Sequence, residues 1–142
     1  GSGLVIPDHL EVNSQLLNPY TLAAVSIDTS ELKMANVKID FSCIVSFADL
    51  TGSDLRLTFQ LSKTYNSGSK IPLGTWTFER DIETSTETTD SFGFTWCECD
   101  ACPGCAYYTV ELINVESEGV YSRGITGPAI NALAVGPLAY DY

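Results

Sequence analysis

Four of the five cysteines fall in one nine-residue run, Cys97-Glu98-Cys99-Asp100-Ala101-Cys102-Pro103-Gly104-Cys105, and the fifth, Cys43, stands alone upstream. Thiols packed this densely either oxidise together or bind a metal together. Oxidation predicts disulfides among Cys97, Cys99, Cys102 and Cys105. A nested arrangement, Cys97 to Cys105 and Cys99 to Cys102, is one of the three connectivities open to them. Such short loops contribute roughly 2 to 3 kcal/mol by the chain-entropy estimate, which stiffens a loop and does not rescue a fold. The alternative is zinc on the same four residues, because Cys99-x-x-Cys102 and Cys102-x-x-Cys105 both have knuckle spacing. Those knuckles overlap on Cys102, whereas zinc sites draw them from separate segments, and no histidine lies nearby. The spacing also departs from both ferredoxin patterns. Disulfides and no cofactor are therefore expected, with zinc as the second outcome.

Other chemistry is thin. The one histidine, His9, sits in a Pro7-Asp8-His9 stretch near the N-terminus, so a catalytic triad would have to be assembled around a chain end. The acids Glu79, Asp81, Glu83, Glu87 and Asp90 lack the Asp-x-Asp-x-Asp-Gly pattern of a calcium loop. Interleaved with Thr and Ser, they read as a solvated strand edge, where charge discourages stray pairing. No enzyme is expected. A net charge of -11, from 18 acids against 7 bases, removes the clustered cations that nucleic acid or an anionic membrane requires. No apolar run is long enough to cross a bilayer as a helix, and no membrane insertion is expected. The chain opens on Gly1-Ser2-Gly3, which fits either a tag remnant or the start of a processed chain.

The elements that carry these residues are strands. Between residues 36 and 48, Val37, Ile39, Phe41, Cys43, Val45 and Phe47 share one parity and Lys38, Asp40, Ser42 and Ser46 the other, the period of a half-buried strand. Leu55, Leu57, Phe59 and Leu61 repeat the pattern after a Thr51-Gly52-Ser53-Asp54 turn signal, which predicts a hairpin. Further strands are expected around Trp76 and Phe78, through Phe92, Phe94 and Trp96, through Tyr108, Val110 and Leu112, over 20–28, and once or twice within 119–140. Ser30 to Met34 could form a single helical turn.

About eight to nine short strands in 142 residues predict an all-β fold, an antiparallel β-sandwich of the jelly-roll type. Residues 1–19 read as an N-terminal extension serving as an assembly arm, and residues 20–142 as one sandwich domain with an apolar last strand. Parity turns Cys43 into the core as a buried free thiol. The cysteine run falls between the strand of Trp96 and the strand of Tyr108, which places it at a hairpin tip.

The chain ends are apolar where ends ordinarily fray into polar tails. Leu4-Val5-Ile6 opens the chain, and Ile130, Leu133, Val135, Leu138 and Tyr140 lie in a C-terminal run without charge before Asp141. Such segments complete either their own sheet or a neighbour's exposed edge, and two of them on one subunit permit head-to-tail growth.

Trp76-Thr77-Phe78-Glu79-Arg80, Ser91-Phe92-Gly93-Phe94 and Cys97-Glu98-Cys99-Asp100-x-Cys102, running into Cys105-Ala106-Tyr107-Tyr108-Thr109-Val110, resemble an uncharacterised cysteine-bearing domain family of spore-forming clostridial bacteria. The resemblance implies a spore or cell-surface setting and no activity. More loosely, the architecture is similar to the jelly-roll subunits of endospore appendages. This chain lacks the N-terminal Cys-Cys pair of such subunits, so the resemblance does not imply covalent linkage between copies.

These features together predict a self-assembling structural subunit of an extracellular or spore-surface filament or layer, joined through its terminal segments, with copies of itself as partners. The alternative is a non-catalytic module that binds a glycan or other ligand on Trp76, Trp96, Tyr107 and Tyr108. Of the last two, opposite parity requires one to be exposed.

Overall fold

The computed structural model describes residues 4–5, 14–66, 68–82, 86–101 and 104–138. Six strands run through them: β1 (Leu4–Val5), β2 (Ser14–Asp28), β3 (Ala35–Tyr65), β4 (Lys70–Ile82), β5 (Thr86–Ala101) and β6 (Cys105–Val135). All pairings are antiparallel, and no helix occurs among the described residues. The strand expected over 20–28 starts earlier, at Ser14.

The organising feature is that β3 and β6 pair with each other along nearly their whole lengths, from Asn36 opposite Val135 to Tyr65 opposite Ala106. Both bend in the middle. Asp49 faces Val120 and Asp54 faces Glu118, so residues 50–53 of β3 stand against residue 119 of β6. Extra residues on one strand of a pair turn the sheet. The flanking strands change with the bend. Before it, β3 carries β5 on its free side, from Val37 opposite Glu98 to Asp49 opposite Thr86. After it, β3 carries β4, from Ser53 opposite Ile82 to Thr64 opposite Lys70. In the same way the first half of β6 carries β2 and the second half carries β1.

The sheet is thereby folded onto itself as two layers, ordered β5-β3-β6-β1 and β4-β3-β6-β2. With β3 and β6 counted once in each layer, this is the eight-strand connectivity of a jelly roll. The all-β sandwich expected from strand parity is the observed fold.

One expected connection is corrected. Residues 36–48 and 55–62 do not form a hairpin across Thr51-Gly52-Ser53-Asp54, because they are two halves of one strand turning a corner. Odd-numbered residues point inward on both sides of it, so Ile39, Phe41, Cys43 and Val45 of one layer face Leu55, Leu57, Phe59 and Leu61 of the other, all buried. Rings from opposite layers lock the core: Phe59 stacks on Phe92 with centroids 4.6 Å apart, Trp76 on Phe94 at 3.8 Å, and Phe47 meets Phe78 edge-on at 6.1 Å. Each large side chain removed from water here contributes about 1.5 to 3 kcal/mol. β5 approaches β3 closely at Gly93, where a Cβ would stand 2.7 Å from the Phe41 carbonyl oxygen. Residues 30–34 form a turn closed by Leu32 N–H donating to the Thr29 carbonyl at 2.9 Å, not a helical turn.

Candidate functional site

The second half of β6 has a strand partner on one side and, among the described residues, an open flank beyond Ile125 on the other. Ala129–Val135 pairs with Ser42–Asn36 of β3. On the opposite flank, β1 pairs with Gly124 and Ile125, and among the described residues no strand pairs with β6 from 126 to 135. Gly127, at φ 60°, and Pro128 interrupt the ladder between Ile44 and Ser42, after which it runs regularly.

Side chains along this edge alternate. Ile130, Ala132 and Ala134 pack on the core, while Leu133 and Val135 project from the outer face at 60% and 62% exposure. Leu138, bridged to Leu32, and Met34 add exposed apolar surface at the same end of the sandwich. No charge occurs from Thr126 to Leu138. Of the N-terminal assembly candidates, Leu4 and Val5 form β1 against their own chain, and Ile6 lies outside the described residues, as Tyr140 does at the other end.

The cysteine run lies at that same end, and its geometry differs from a hairpin tip. β5 belongs to one layer and the first half of β6 to the other, so Ala101 and Cys105 lie in different layers. Cys97 lies opposite Lys38 and Cys105 opposite Asp28. On β5, Phe94, Trp96 and Glu98 point inward, which turns Cys97 outward; on β6, buried Ala106 and Tyr108 turn Cys105 outward from the other layer. Cys97 and Cys105 therefore face away from each other across two sheets packed roughly 10 Å apart, and the expected bond between them cannot close. Cys97, Cys99 and Cys105 are free thiols and exposed, and Cys102 lies outside the described residues. Among the described residues no three His, Cys, Asp or Glu side chains converge as metal ligands.

The limb carrying Cys105 is firmly held. The Gly104 carbonyl accepts from Thr29 N–H at 2.9 Å, the Cys105 carbonyl accepts from Asn66 N–H at 2.8 Å, and Cys105 N–H donates to Asn66 Oδ1 at 2.9 Å. Gly104, at φ 142°, adopts backbone that side chains disfavour, and a Cβ there would meet the Tyr65 hydroxyl at 2.8 Å and Asn66 Oδ1 at 2.9 Å. Asp28 sits beside it, its carboxyl held below the ordinary range chiefly by the Ser30 backbone N–H at 2.9 Å, then by the Ser30 hydroxyl and, further down, by the Cys105 thiol.

Between the layers at this end lies a cleft of about 390 Å³ walled by Tyr65, Ile71, Leu73, Cys99 and Ala101. Lys63 of one layer and Glu98 of the other close it with a 2.6 Å ion pair, largely shielded from water. Lys63 also sits over the rings of Tyr65 and Tyr108, 5.3 and 5.8 Å from their centroids. The Tyr108 hydroxyl is buried with no hydrogen-bond partner among the described residues, and desolvation, helped by Glu98, pushes its pKa up to about 12. Strand parity carries a signal for this inter-layer pair, since Lys63 and Glu98 continue the inward parity of Leu61 and Trp96.

The remaining candidates disperse. Cys43 is buried, and desolvation raises its pKa to about 11. Within the acidic run, Glu79 pairs with Arg56 and Asp90 with Arg80, both at 3.1 Å, while Glu83 lies outside the described residues, as His9 does. The four aromatics do not share a face: Trp76 is stacked on Phe94, Trp96 sits 6.4 Å from the buried ring of Tyr108, and Tyr107 points outward.

A family model described as a domain of unknown function (DUF4489) matches residues 1–135. No curated protein matches the sequence. Among solved structures, the chain is similar to one from the structure of the infectious bursal disease virus Gx strain, with a TM-score of 0.31 and 12% identity. That likeness covers 98% of this chain and 36% of the viral one, so this chain spans about a third of that protein's length.

Proposed function

The chain belongs to the DUF4489 family, and from that premise we propose that it is a self-assembling structural subunit without catalytic activity, which builds an extracellular or spore-surface filament or layer. Copies join where an extended terminal segment of one adds a strand to the open flank of β6 in the next. The observation that carries this reading is the uncharged edge Ala129–Val135, paired to β3 on one side and to no described strand on the other. Unpaired backbone donors and acceptors along a regular strand are a template for a further strand, and pockets for alternate side chains give such additions their specificity. The surface setting is supported by a composition of 18% charged residues and by the resemblance of the cysteine-bearing segments to spore-former proteins.

The test is sedimentation and negative-stain microscopy of the full chain in reductant, beside a Leu133→Lys/Val135→Lys variant. The parent should form large particles or fibres. The variant should stay monomeric, with thermal stability within about 0.5 kcal/mol of the parent because both side chains are exposed. A parent that remains monomeric at high concentration would sink the reading.

A further inference from the structure

Two reactive groups at the cysteine-bearing end are left unexplained by strand addition, and they point in opposite directions. Cys97 projects from the outer face of the β5-β3-β6-β1 layer. It lies in a cross-strand row with Lys38 and Leu133, since Lys38 pairs with both. Cys105 projects from the outer face of the β4-β3-β6-β2 layer, opposite Asp28 and two residues from the exposed Tyr107. Both thiols are free and exposed, and the sandwich between them prevents their bonding to each other. The second is also rigidly presented, through the Gly104, Asn66 and Thr29 hydrogen bonds.

The two faces are complementary in kind. Lys38, 3.6 Å from Asp40 of its own strand, brings a cation beside one thiol and Asp28 an anion beside the other, while Leu133 and Tyr107 offer apolar surface on each. We propose that Cys97 of one copy and Cys105 of the next form an intermolecular disulfide, so that copies stack face to face and each subunit carries two covalent links. This rests on the reading of the chain as a self-assembling subunit, and it adds a second, covalent contact on the faces to the strand addition at the edge. The contact is heterologous and does not close, so it propagates.

The oxidant is a low-molecular-weight disulfide such as oxidised glutathione. The Cys97 thiolate attacks one of its sulfurs, forming a mixed disulfide and expelling one small thiolate. The Cys105 thiolate of the second copy then attacks the Cys97 sulfur and expels the second. Two cysteine sulfurs are oxidised, one small disulfide is reduced to two thiols, and the two protons lost by the cysteines pass to the departing thiolates.

The experiment treats the reduced full chain with oxidised glutathione and reads non-reducing electrophoresis and mass spectrometry of linked peptides. A ladder of SDS-resistant species containing the Cys97–Cys105 linkage is expected, and reductant should collapse it. Cys97→Ser and Cys105→Ser should each lose the ladder entirely, dimers included, while a one-to-one mixture of the two variants should yield dimers and nothing larger. Matching melting curves would show that both variants are folded. Dimers in either variant alone would overturn the proposal, as would linkage confined to one chain or glutathione adducts alone. Particle size in reductant separates this from the parent reading. Large particles without a ladder would sink only the cross-link, whereas a ladder without reductant-stable particles would sink only the edge.

Discussion

The two outer strands beside β3 in the first layer offer the same backbone chemistry and opposite invitations. β5 presents an edge whose sequence includes Glu87 and Asp90, with Asp90 engaged by Arg80, whereas Glu98 turns inward to Lys63. β6 presents Ala129–Val135, which has no charged residue and two outward aliphatic side chains more than half exposed. Unpaired strand edges attract further strands unless charge, proline or a bulge blunts them. One edge of this layer is blunted by acids. The other is interrupted only at Gly127-Pro128, just before the regular ladder begins. Openness on one side alone is what an ordered, directional polymer requires, because two open edges would let sheets grow without control.

The contrast depends on a core that holds both edges in place, and the largest change comes from breaking that core. Phe59→Ala removes a fully buried ring packed against Phe41 and Phe92 and should cost about 3 to 5 kcal/mol in chemical denaturation. Against a total of roughly 5 to 15 kcal/mol, both edges would lose definition together.

A smaller loss follows from alkali. Cys43 lies on β3, between the two edges, with its pKa raised to about 11. Its contribution is fully present below the unfolded value near 9 and is lost as pH rises through about 11, because the unfolded chain releases the proton first. Tyr108, raised to about 12, adds a second loss between about 10 and 12. Each group should contribute on the order of 1.4 kcal/mol per pH unit within its window. Denaturation midpoints in Cys43→Val should be flat from pH 9 to 10, where the parent's decline begins; a parallel decline in both would remove Cys43 as the cause.

The smallest effect on stability sharpens the comparison most. Asp90→Thr exchanges an exposed ion pair for a neutral residue and should shift stability by no more than about 1 kcal/mol. It should also make β5 a second open edge, seen in light scattering as thicker, less uniform particles. Unchanged particle width would mean that charge on β5 is not what restrains it.

Much of the architecture was legible in short-range patterns. Parity alone places Ile39, Phe41, Cys43, Leu57 and Phe59 inward, and the same rule covers Lys63 and Glu98, whose charge by itself signals an outward residue and hides their ion pair. What parity could not convey is which strands are neighbours. A Thr-Gly-Ser-Asp turn signal is shared by a hairpin and by a corner, and the choice is made by distant partners: β6 reaches β3 from both ends of the bend. The cysteine run departs from the hairpin tip that sequence predicts for the same reason. Trp96 and Tyr108 are close in sequence and belong to opposite layers, which turns Cys97 and Cys105 back to back. The apolar C-terminal run is visible at once in the sequence, but that no described strand covers its flank emerges only from the pairing of β6.

The continuity of β3 and β6 through both layers has a mechanical consequence. In a sandwich assembled from separate strands, the sheets can peel apart once their loops give way. Here two backbones pass around the same corner, so parting the layers means straightening both at once and tearing open the core between them. A pull along the strand direction is shared by every hydrogen bond between β3 and β6 and loads them in shear together. A subunit tethered at its edge and faces would transmit tension through that doubled ribbon, and would yield at its contacts before it yielded within.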